Sequence, residues 1–280
     1  MHSTLVSTDL LAGHLNDSRW LIADCRYNLK DEGWGGAQYA SGHIPGAVYV
    51  SLAKNLSGPR TGSNGRHPLP SPETMAATFA RLGMGDDTQV VAYDQDAGSF
   101  ASRLWWMLRY LGHDAAAVLD GGFAKWMREG RPLRSGHERR TASAFTPRIR
   151  AGVRLTVDEV AARLGDPSVL LVDARSPERF EGRPDPLDVV PGHIPGASNR
   201  HYRDNIGADG TMRPARELQA DFARVLQGHA PADVVMYCGS GVTACHNLLA
   251  MEHAGIHGAR LFPGSWSEWE ADPERPVERG

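Results

Sequence analysis

The segment Gly42-His-Ile-Pro-Gly-Ala47 recurs 150 residues later as Gly192-His-Ile-Pro-Gly-Ala197. Three further segments recur in the same order: Leu21–Arg26 matches Leu170–Arg175, Val90–Tyr93 matches Val234–Tyr237, and Leu119–Trp126 resembles Leu261–Trp269. This period is far longer than the ~20–50 residues of a solenoid repeat. The sequence therefore predicts two duplicated domains.

Within the second copy, short apolar runs alternate with amphipathic segments. Strands are predicted at Val169–Val172 and Val234–Tyr237, and helices at Pro214–Leu226 and Cys245–Ala254. This alternation predicts an α/β fold in which a mainly parallel sheet is flanked by helices. The region around 136–154 is rich in Arg, Ser and Thr with weak periodicity, so we predict domains at 1–135 and 155–280 joined by that linker.

Composition excludes several classes of protein. The 280 residues carry a formal net charge of −3, which gives no reason to expect a nucleic-acid or membrane partner. Three cysteines without a CxxC pair favour neither a disulfide framework nor a metal site, and no cofactor motif is present. The N-terminus does not resemble a signal peptide, and no apolar run approaches the ~20 residues of a membrane span. We expect a cytoplasmic protein.

One cysteine stands where a strand ends and a helix begins, in the run Val234-Val-Met-Tyr-Cys-Gly-Ser-Gly-Val-Thr-Ala-Cys-His246. Ligands of parallel sheets bind beyond the carboxyl ends of strands, which is where Cys238 falls. A helix N-terminus and a ring of backbone N–H groups favour an anion, and the thiolate is the reactive form of cysteine. Cys238 is therefore the predicted nucleophile, with an anion-binding loop formed by Gly239, Gly241, Val242 and Thr243.

Other features of the sequence exclude phosphatase chemistry and leave Cys238 as the one predicted nucleophile. Phosphatases with a similar loop need an arginine six positions after the cysteine, and that position is Ala244 here. Aligning the two copies places Asp94 opposite Cys238, so the first domain is predicted to be catalytically silent. Cys25 and Cys245 are interpreted as structural.

The duplicated unit, the two HIPGA segments and the Cys-Gly-Ser-Gly-Val-Thr-Ala loop resemble the tandem-domain rhodanese sulfurtransferases. The loop is similar to the 3-mercaptopyruvate version of the family, since the thiosulfate version usually carries cations just after the cysteine. The resemblance implies transfer of sulfur from 3-mercaptopyruvate to a thiol or cyanide through a Cys238 persulfide. A thiosulfate:cyanide sulfurtransferase, and a non-catalytic persulfide carrier or binding module, remain alternatives.

The resemblance also implies residues that bind the small sulfur donor. Arg179 falls on the family's first substrate arginine, whereas the second falls on Leu187, so Arg183 is the candidate for the missing charge. Ser240 and His67 match the serine and histidine of the family's proton relay, but the position of its aspartate is Ala53. A Ser240–His67 pair is the expectation. Candidate acceptors include thioredoxin-like dithiols, glutathione and cyanide.

Some polar residues recur in both copies, including the copy without a nucleophile. They are His43 and His193, Asp24 and Asp173, and Arg26 and Arg175. Because the silent copy keeps them, the sequence predicts that they stabilise the fold.

Overall fold

The structure is a computed structural model that describes residues 1–280. Its contacts divide the chain into two units, and each unit contains a wholly parallel sheet flanked by helices. The α/β architecture of two tandem domains predicted from the repeat is confirmed.

The first unit has a five-stranded sheet in the order β1-β5-β4-β2-β3. Its strands β1 to β5 are Leu5–Val6, Trp20–Asp24, Ala47–Tyr49, Gln89–Tyr93 and Ala116–Leu119. Its helices α1 to α6 are Thr8–Gly13, Trp34–Ser41, Leu52–Asn55, Pro72–Arg81, Ala101–Tyr110 and Gly122–Arg128. Strand β4 is buried along its whole length, as its nearly continuous apolar sequence requires.

The second unit has a four-stranded sheet in the order β7-β6-β8-β9. Its strands β6 to β9 are Leu170–Asp173, Ser198–Asn199, Val234–Tyr237 and Arg260–Leu261. Its helices α7 to α11 are Val157–Ala161, Pro177–Phe180, Ala215–Leu226, Ala244–His253 and Ser265–Trp269, with 3₁₀ turns at Tyr202–Asn205 and Pro231–Asp233. The strands and helices predicted in this half are therefore present, with ends that differ by at most one residue.

The recurring acidic and arginine residues form the same buried cluster in each unit. In both, the arginine donates to the carboxylate two positions earlier and to the carbonyl of the glycine that precedes the HIPGA letters. In the first unit Arg26 donates to Asp24 and Gly42. In the second unit Arg175 donates to Asp173 and Gly192. Each cluster thereby ties the end of a central strand to the following turn. A buried pair with further hydrogen bonds of this kind is costly to break by removing one partner.

The recurring histidines also make equivalent contacts. Nδ1 of His43 lies 2.8 Å from the carbonyl oxygen of Tyr39, and Nδ1 of His193 lies 2.7 Å from that of Phe180. Each ring also stacks on the aromatic side chain of the same partner. Both histidines thus fix the HIPGA turn to the preceding helix.

The grouping of contacts differs from the predicted contiguous ranges in two short segments. Pro59–Leu69 groups with the second unit, and Ile206–Met212 groups with the first. Residues 136–150, which belong to the predicted linker 136–154, group with the first unit; there the amide of Ser143 donates to the carbonyl of Ala80. Segments without periodicity, such as these, make contacts that a sequence pattern does not reveal.

The longest helix of the protein is α9, with 12 residues. No helix combines the length and the apolar character that crossing a bilayer needs.

Candidate active site

Cys238 lies directly after β8 and is 1% exposed. Its backbone is held by the start of α11: the N–H donates to Oγ of Ser265 at 3.0 Å, and the carbonyl accepts from the amide of Trp266 at 2.9 Å. The amide of Ser267 donates to the carbonyl of Gly239 at 3.0 Å. Hydrogen bonds therefore hold both the N–H and the carbonyl group of Cys238.

The loop from Gly239 to Thr243 connects β8 to α10. Gly241 has a φ of 70°, and its carbonyl accepts the Sγ–H of Cys245 at 3.4 Å. Cys245 thus has a buried structural contact on the inner side of the loop. The loop brings Gly239, Gly241, Val242 and Thr243 together beside the nucleophile; the binding of an anion by their amides stays a prediction.

Ser240 faces a histidine from a distant part of the sequence. Nδ1 of His67 lies 2.9 Å from Oγ of Ser240, and both side chains are buried. His67 lies in the segment Pro59–Leu69, which groups with the second unit and is held there by the hydrogen bond from the Arg66 N–H to Oγ of Ser267. The expected pair is therefore within hydrogen-bonding distance, and its role in catalysis stays a prediction.

Two guanidinium groups approach the residue after the cysteine. A Cβ atom built on Gly239 would lie 2.8 Å from Nη2 of Arg66 and 2.9 Å from Nη2 of Arg179. Both distances are shorter than real Cβ contacts allow, so any side chain at this position would displace an arginine. Both guanidinium groups are the ends of flexible side chains, so a small side chain here would shift them rather than disrupt the backbone.

Arg179 is oriented by a buried carboxylate. Its Nε and Nη2 donate to the two oxygens of Asp188 at 2.7 and 2.5 Å, a bidentate geometry. Asp188 is 3% exposed and also accepts from Nη1 of Arg175 at 3.2 Å. Burial acts to lower the pKa of Arg179, but the hydrogen bonds and charge of Asp188 outweigh it and raise that pKa above its ordinary value.

Arg66 supplies the second cation. It donates to the carbonyl of Leu187 through Nη1, which also lies 3.8 Å from Oε1 of Glu270, and its backbone N–H donates to Oγ of Ser267 at 2.9 Å. Burial and the neighbouring Arg179 lower the pKa of the Arg66 guanidinium, while the charges of Asp188, Glu270 and Cys238 oppose that shift. An arginine remains protonated under these conditions.

Arg183, the candidate for the missing charge, lies at the surface, and its role in donor binding stays a prediction. Arg183 is 68% exposed and pairs with Glu181 at 3.0 Å, as an ordinary surface arginine does. The guanidinium groups beside Gly239 are those of Arg66 and Arg179. Sequence reasoning missed Arg66 because it sought a cation near Leu187 along the chain, although Arg66 directly precedes the histidine that it did select.

The equivalent loop of the first unit encloses a carboxylate. Asp94 follows β4 and is fully buried; its Oδ1 accepts from the amides of Asp96 and Gly98, and its Oδ2 from those of Phe100 and Ala101, at 2.6 to 3.0 Å. Burial raises the pKa of Asp94, and the four amide hydrogen bonds counteract this effect. A loop of this kind can therefore direct several N–H groups at one anion.

Known proteins similar in sequence to this chain belong to one family. The rhodanese-like domain family matches residues 7–129 and 156–272. A probable 3-mercaptopyruvate sulfurtransferase from Pseudomonas aeruginosa is 43% identical over 278 residues, which cover 99% of this chain and 98% of that protein. A putative thiosulfate sulfurtransferase, SseB, from Mycobacterium tuberculosis is 41% identical over 262 residues, which cover 92% of this chain and 90% of that protein.

A solved structure gives the same result in three dimensions. The 3-mercaptopyruvate sulfurtransferase from Leishmania major superposes with a TM-score of 0.84 at 34% identity, over 96% of this chain and 74% of that one. The chain therefore belongs to the rhodanese family. Within that family it is a sulfurtransferase, an enzyme of the transferase class.

Proposed function

We propose that this sulfurtransferase takes sulfur from 3-mercaptopyruvate, carries it as a persulfide on Cys238, and delivers it to a thiol or to cyanide. The observation that carries the choice of donor is the Ser240–His67 pair, at 2.9 Å, on the same loop that both guanidinium groups approach. Mercaptopyruvate has a ketone that a hydroxyl can polarise and a carboxylate that arginines can bind. Each chemical group of the donor thus has a matching group in the site.

In the first half-reaction, the Cys238 thiolate attacks the thiol sulfur of the donor. An S–S bond forms while the C–S bond breaks, and its electron pair leaves with the carbon as the enolate of pyruvate, which then takes up a proton. Ser240, paired with His67, donates to the ketone oxygen where negative charge develops. In the second half-reaction, the acceptor attacks the outer sulfur, the S–S bond breaks, and the Cys238 thiolate returns.

The carboxylate of the donor binds Arg179 and Arg66. Asp188 uses the Nε and one Nη2 hydrogen of Arg179, which leaves the other Nη hydrogens for the donor. Arg66 takes over the charge for which the resemblance expects an arginine at Leu187, whose carbonyl it contacts. Two cations beside one small loop suit a donor with one carboxylate.

The first unit has no part in the covalent chemistry. Asp94 stands in the position of the nucleophile, and a carboxylate cannot form a persulfide; its oxygens already accept four backbone N–H groups. We further propose a cytoplasmic enzyme whose acceptor is a small thiol or a thioredoxin-like dithiol protein, supported by three cysteines that are all free.

Thiosulfate is the second candidate donor, because the same two guanidinium groups can bind its oxygens. In that case the sulfane sulfur is transferred and sulfite leaves, with no ketone for Ser240 to polarise. A stoichiometric persulfide carrier is the third candidate, and it keeps Cys238 but does not turn over.

The deciding experiment combines mass spectrometry with steady-state kinetics. After incubation with 3-mercaptopyruvate, the intact protein should gain one sulfur atom on Cys238, and the Cys238→Ser control should gain none. Transfer to cyanide should proceed with a higher kcat/KM for mercaptopyruvate than for thiosulfate. A preference for thiosulfate selects the second candidate, loading without turnover selects the carrier, and failure to load from either donor excludes all three.

A further inference from the structure

The two copies of the fold differ at the short helix that follows the last strand of each unit along the chain, α6 after β5 and α11 after β9. Trp269 in α11 and Trp126 in α6 are equivalent: both are buried, and both indole groups donate to a proline carbonyl. The amide of Trp266 donates to the carbonyl of Cys238, as the amide of Phe123 does to that of Asp94. This register pairs Ser265 with Gly122 and Ser267 with Ala124.

Ser265 occupies a backbone conformation that favours glycine. Its φ is 55°, the same value as that of its counterpart Gly122. In the described chain, Gln227 is the one other non-glycine residue with positive φ. Strained residues of this kind persist where the surrounding structure requires them, and they concentrate at functional sites.

The Ser265 hydroxyl compensates for this strain with two hydrogen bonds. It accepts the N–H of Cys238 at 3.0 Å and donates to the carbonyl of Phe262 at 2.9 Å, and the residue is 0% exposed. The silent copy cannot hold a serine here, because a Cβ on Gly122 would lie 1.8 Å from the carbonyl oxygen of Asp96. The hydroxyl is therefore special to the copy that carries the thiol.

Ser267 is the second polar side chain that only this copy has. Its Oγ accepts the backbone N–H of Arg66 at 2.9 Å and donates to the carbonyl of Gly264 at 3.3 Å. The counterpart, Ala124, offers no such acceptor. Ser267 thus attaches the segment that delivers Arg66 and His67 to the same helix that holds Cys238.

We propose that Ser265 and Ser267 are positioning residues for sulfur transfer. Ser265 orients the nucleophile through its backbone, and Ser267 holds the Arg66–His67 segment that binds the donor. This inference rests on the proposed function for its kinetic consequences. Ser265 therefore affects the rate of the chemical step, whereas Ser267 affects donor binding.

The kinetic test uses Ser265→Gly, which copies the silent domain and relieves the strain, together with Ser265→Ala and Ser267→Ala. Ser102→Ala is the matched control, because Ser102 is an equally buried serine of the first unit. Ser265→Gly should lower kcat about tenfold with KM within about twofold, whereas Ser267→Ala should raise KM about fivefold with kcat within about twofold; one hydrogen bond accounts for such factors. The thermal midpoint of Ser265→Gly should match that of the wild type.

A second measurement separates this inference from the choice of sulfur donor. It follows the rate at which iodoacetamide and iodoacetate alkylate Cys238, a reaction that needs no sulfur donor. Ser265→Gly should slow both reagents about tenfold. Ser267→Ala should selectively slow the anionic one about threefold, since the backbone of Arg66 loses its hydrogen bond to Ser267 and the cation is held less firmly. Wild-type alkylation rates in both variants overturn the proposal even if sulfur loads normally. The predicted changes support it even if mercaptopyruvate is not the donor.

Discussion

Nδ1 of His67 lies 2.9 Å from Oγ of Ser240, although the two residues are 173 positions apart in the sequence. Both side chains are buried within the second unit, so the pair can exchange a proton with little access of bulk water. An imidazole in this position can support a serine hydroxyl that donates to a developing oxyanion. Because mercaptopyruvate has a ketone and thiosulfate has none, removing the Ser240 hydroxyl should affect the two donors differently.

Ser240→Ala should lower kcat for mercaptopyruvate about 100-fold, because one oxyanion donor is worth that order of magnitude. Thiosulfate has no ketone, so its kcat should change less than about threefold. His67→Asn should reproduce most of the loss, and the double variant should be no worse than Ser240→Ala alone. Equal losses with both donors would show that the pair supports the loop rather than the ketone.

Arg179→Ala should raise KM for mercaptopyruvate at least about tenfold with a smaller change in kcat, since a charge-assisted contact made in the ground state is lost. Arg183→Ala is the matched control, because it removes an arginine just after the helix that carries Arg179, and that arginine is exposed and paired with Glu181. Steady-state kinetics on both variants show which of the two arginines binds the donor. A rise in KM for Arg183→Ala would return the second substrate cation to that residue.

Asp94→Asn should lower the free energy of unfolding of the first unit by at least about 2 kcal/mol. Each carboxylate oxygen accepts two backbone N–H groups, so either orientation of the amide places its NH₂ against two donors. Urea unfolding measures the loss, with the exposed Asp87→Asn as the control. Folded Asp94→Asn protein should still load sulfur on Cys238, and loss of loading would contradict the silent role of the first unit.

Cys25 should stay a thiol in the folded protein well into alkaline solution. Burial raises its pKa well above the ordinary value of 9.0, and the charges of Asp24 and Asp94 add to the effect. Since the folded pKa exceeds the unfolded one, the folded state holds its proton more tightly above pH 9.0, and stability falls as the pH rises beyond that value.

The check on Cys25 compares urea unfolding of the wild type and Cys25→Ala at about pH 8 and about pH 10. The wild type should lose about 1 kcal/mol more than the variant over this interval. Buried tyrosines also titrate late, but they are common to both proteins and cancel in the comparison. Rapid alkylation of native Cys25 near neutral pH would contradict the assignment.

The repeat was sufficient to predict both domains, because each copy encodes the same order of buried strands and amphipathic helices. Cys238 was also predictable, because it directly follows a buried apolar strand, and the sites of parallel sheets lie beyond the carboxyl ends of their strands. Arg66 and Ser267 were not, because their contact joins residues 201 positions apart and follows no periodic pattern. The left-handed conformation of Ser265 was hidden for a related reason: serine in a sequence does not indicate positive φ.

The segment Pro59–Leu69 has a consequence for how the enzyme folds. A fragment from residue 151 onward contains Cys238, Ser240 and Arg179, yet it lacks Arg66 and His67. The hydrogen bonds of Arg66 and His67 to the rest of the second unit span 121 to 201 residues, and long-range contacts form slowly because loop closure costs entropy. We therefore expect secondary structure and a reactive thiol to appear during refolding before catalytic activity does. We expect activity to return last, after a delay that is set by the docking of the segment Pro59–Leu69.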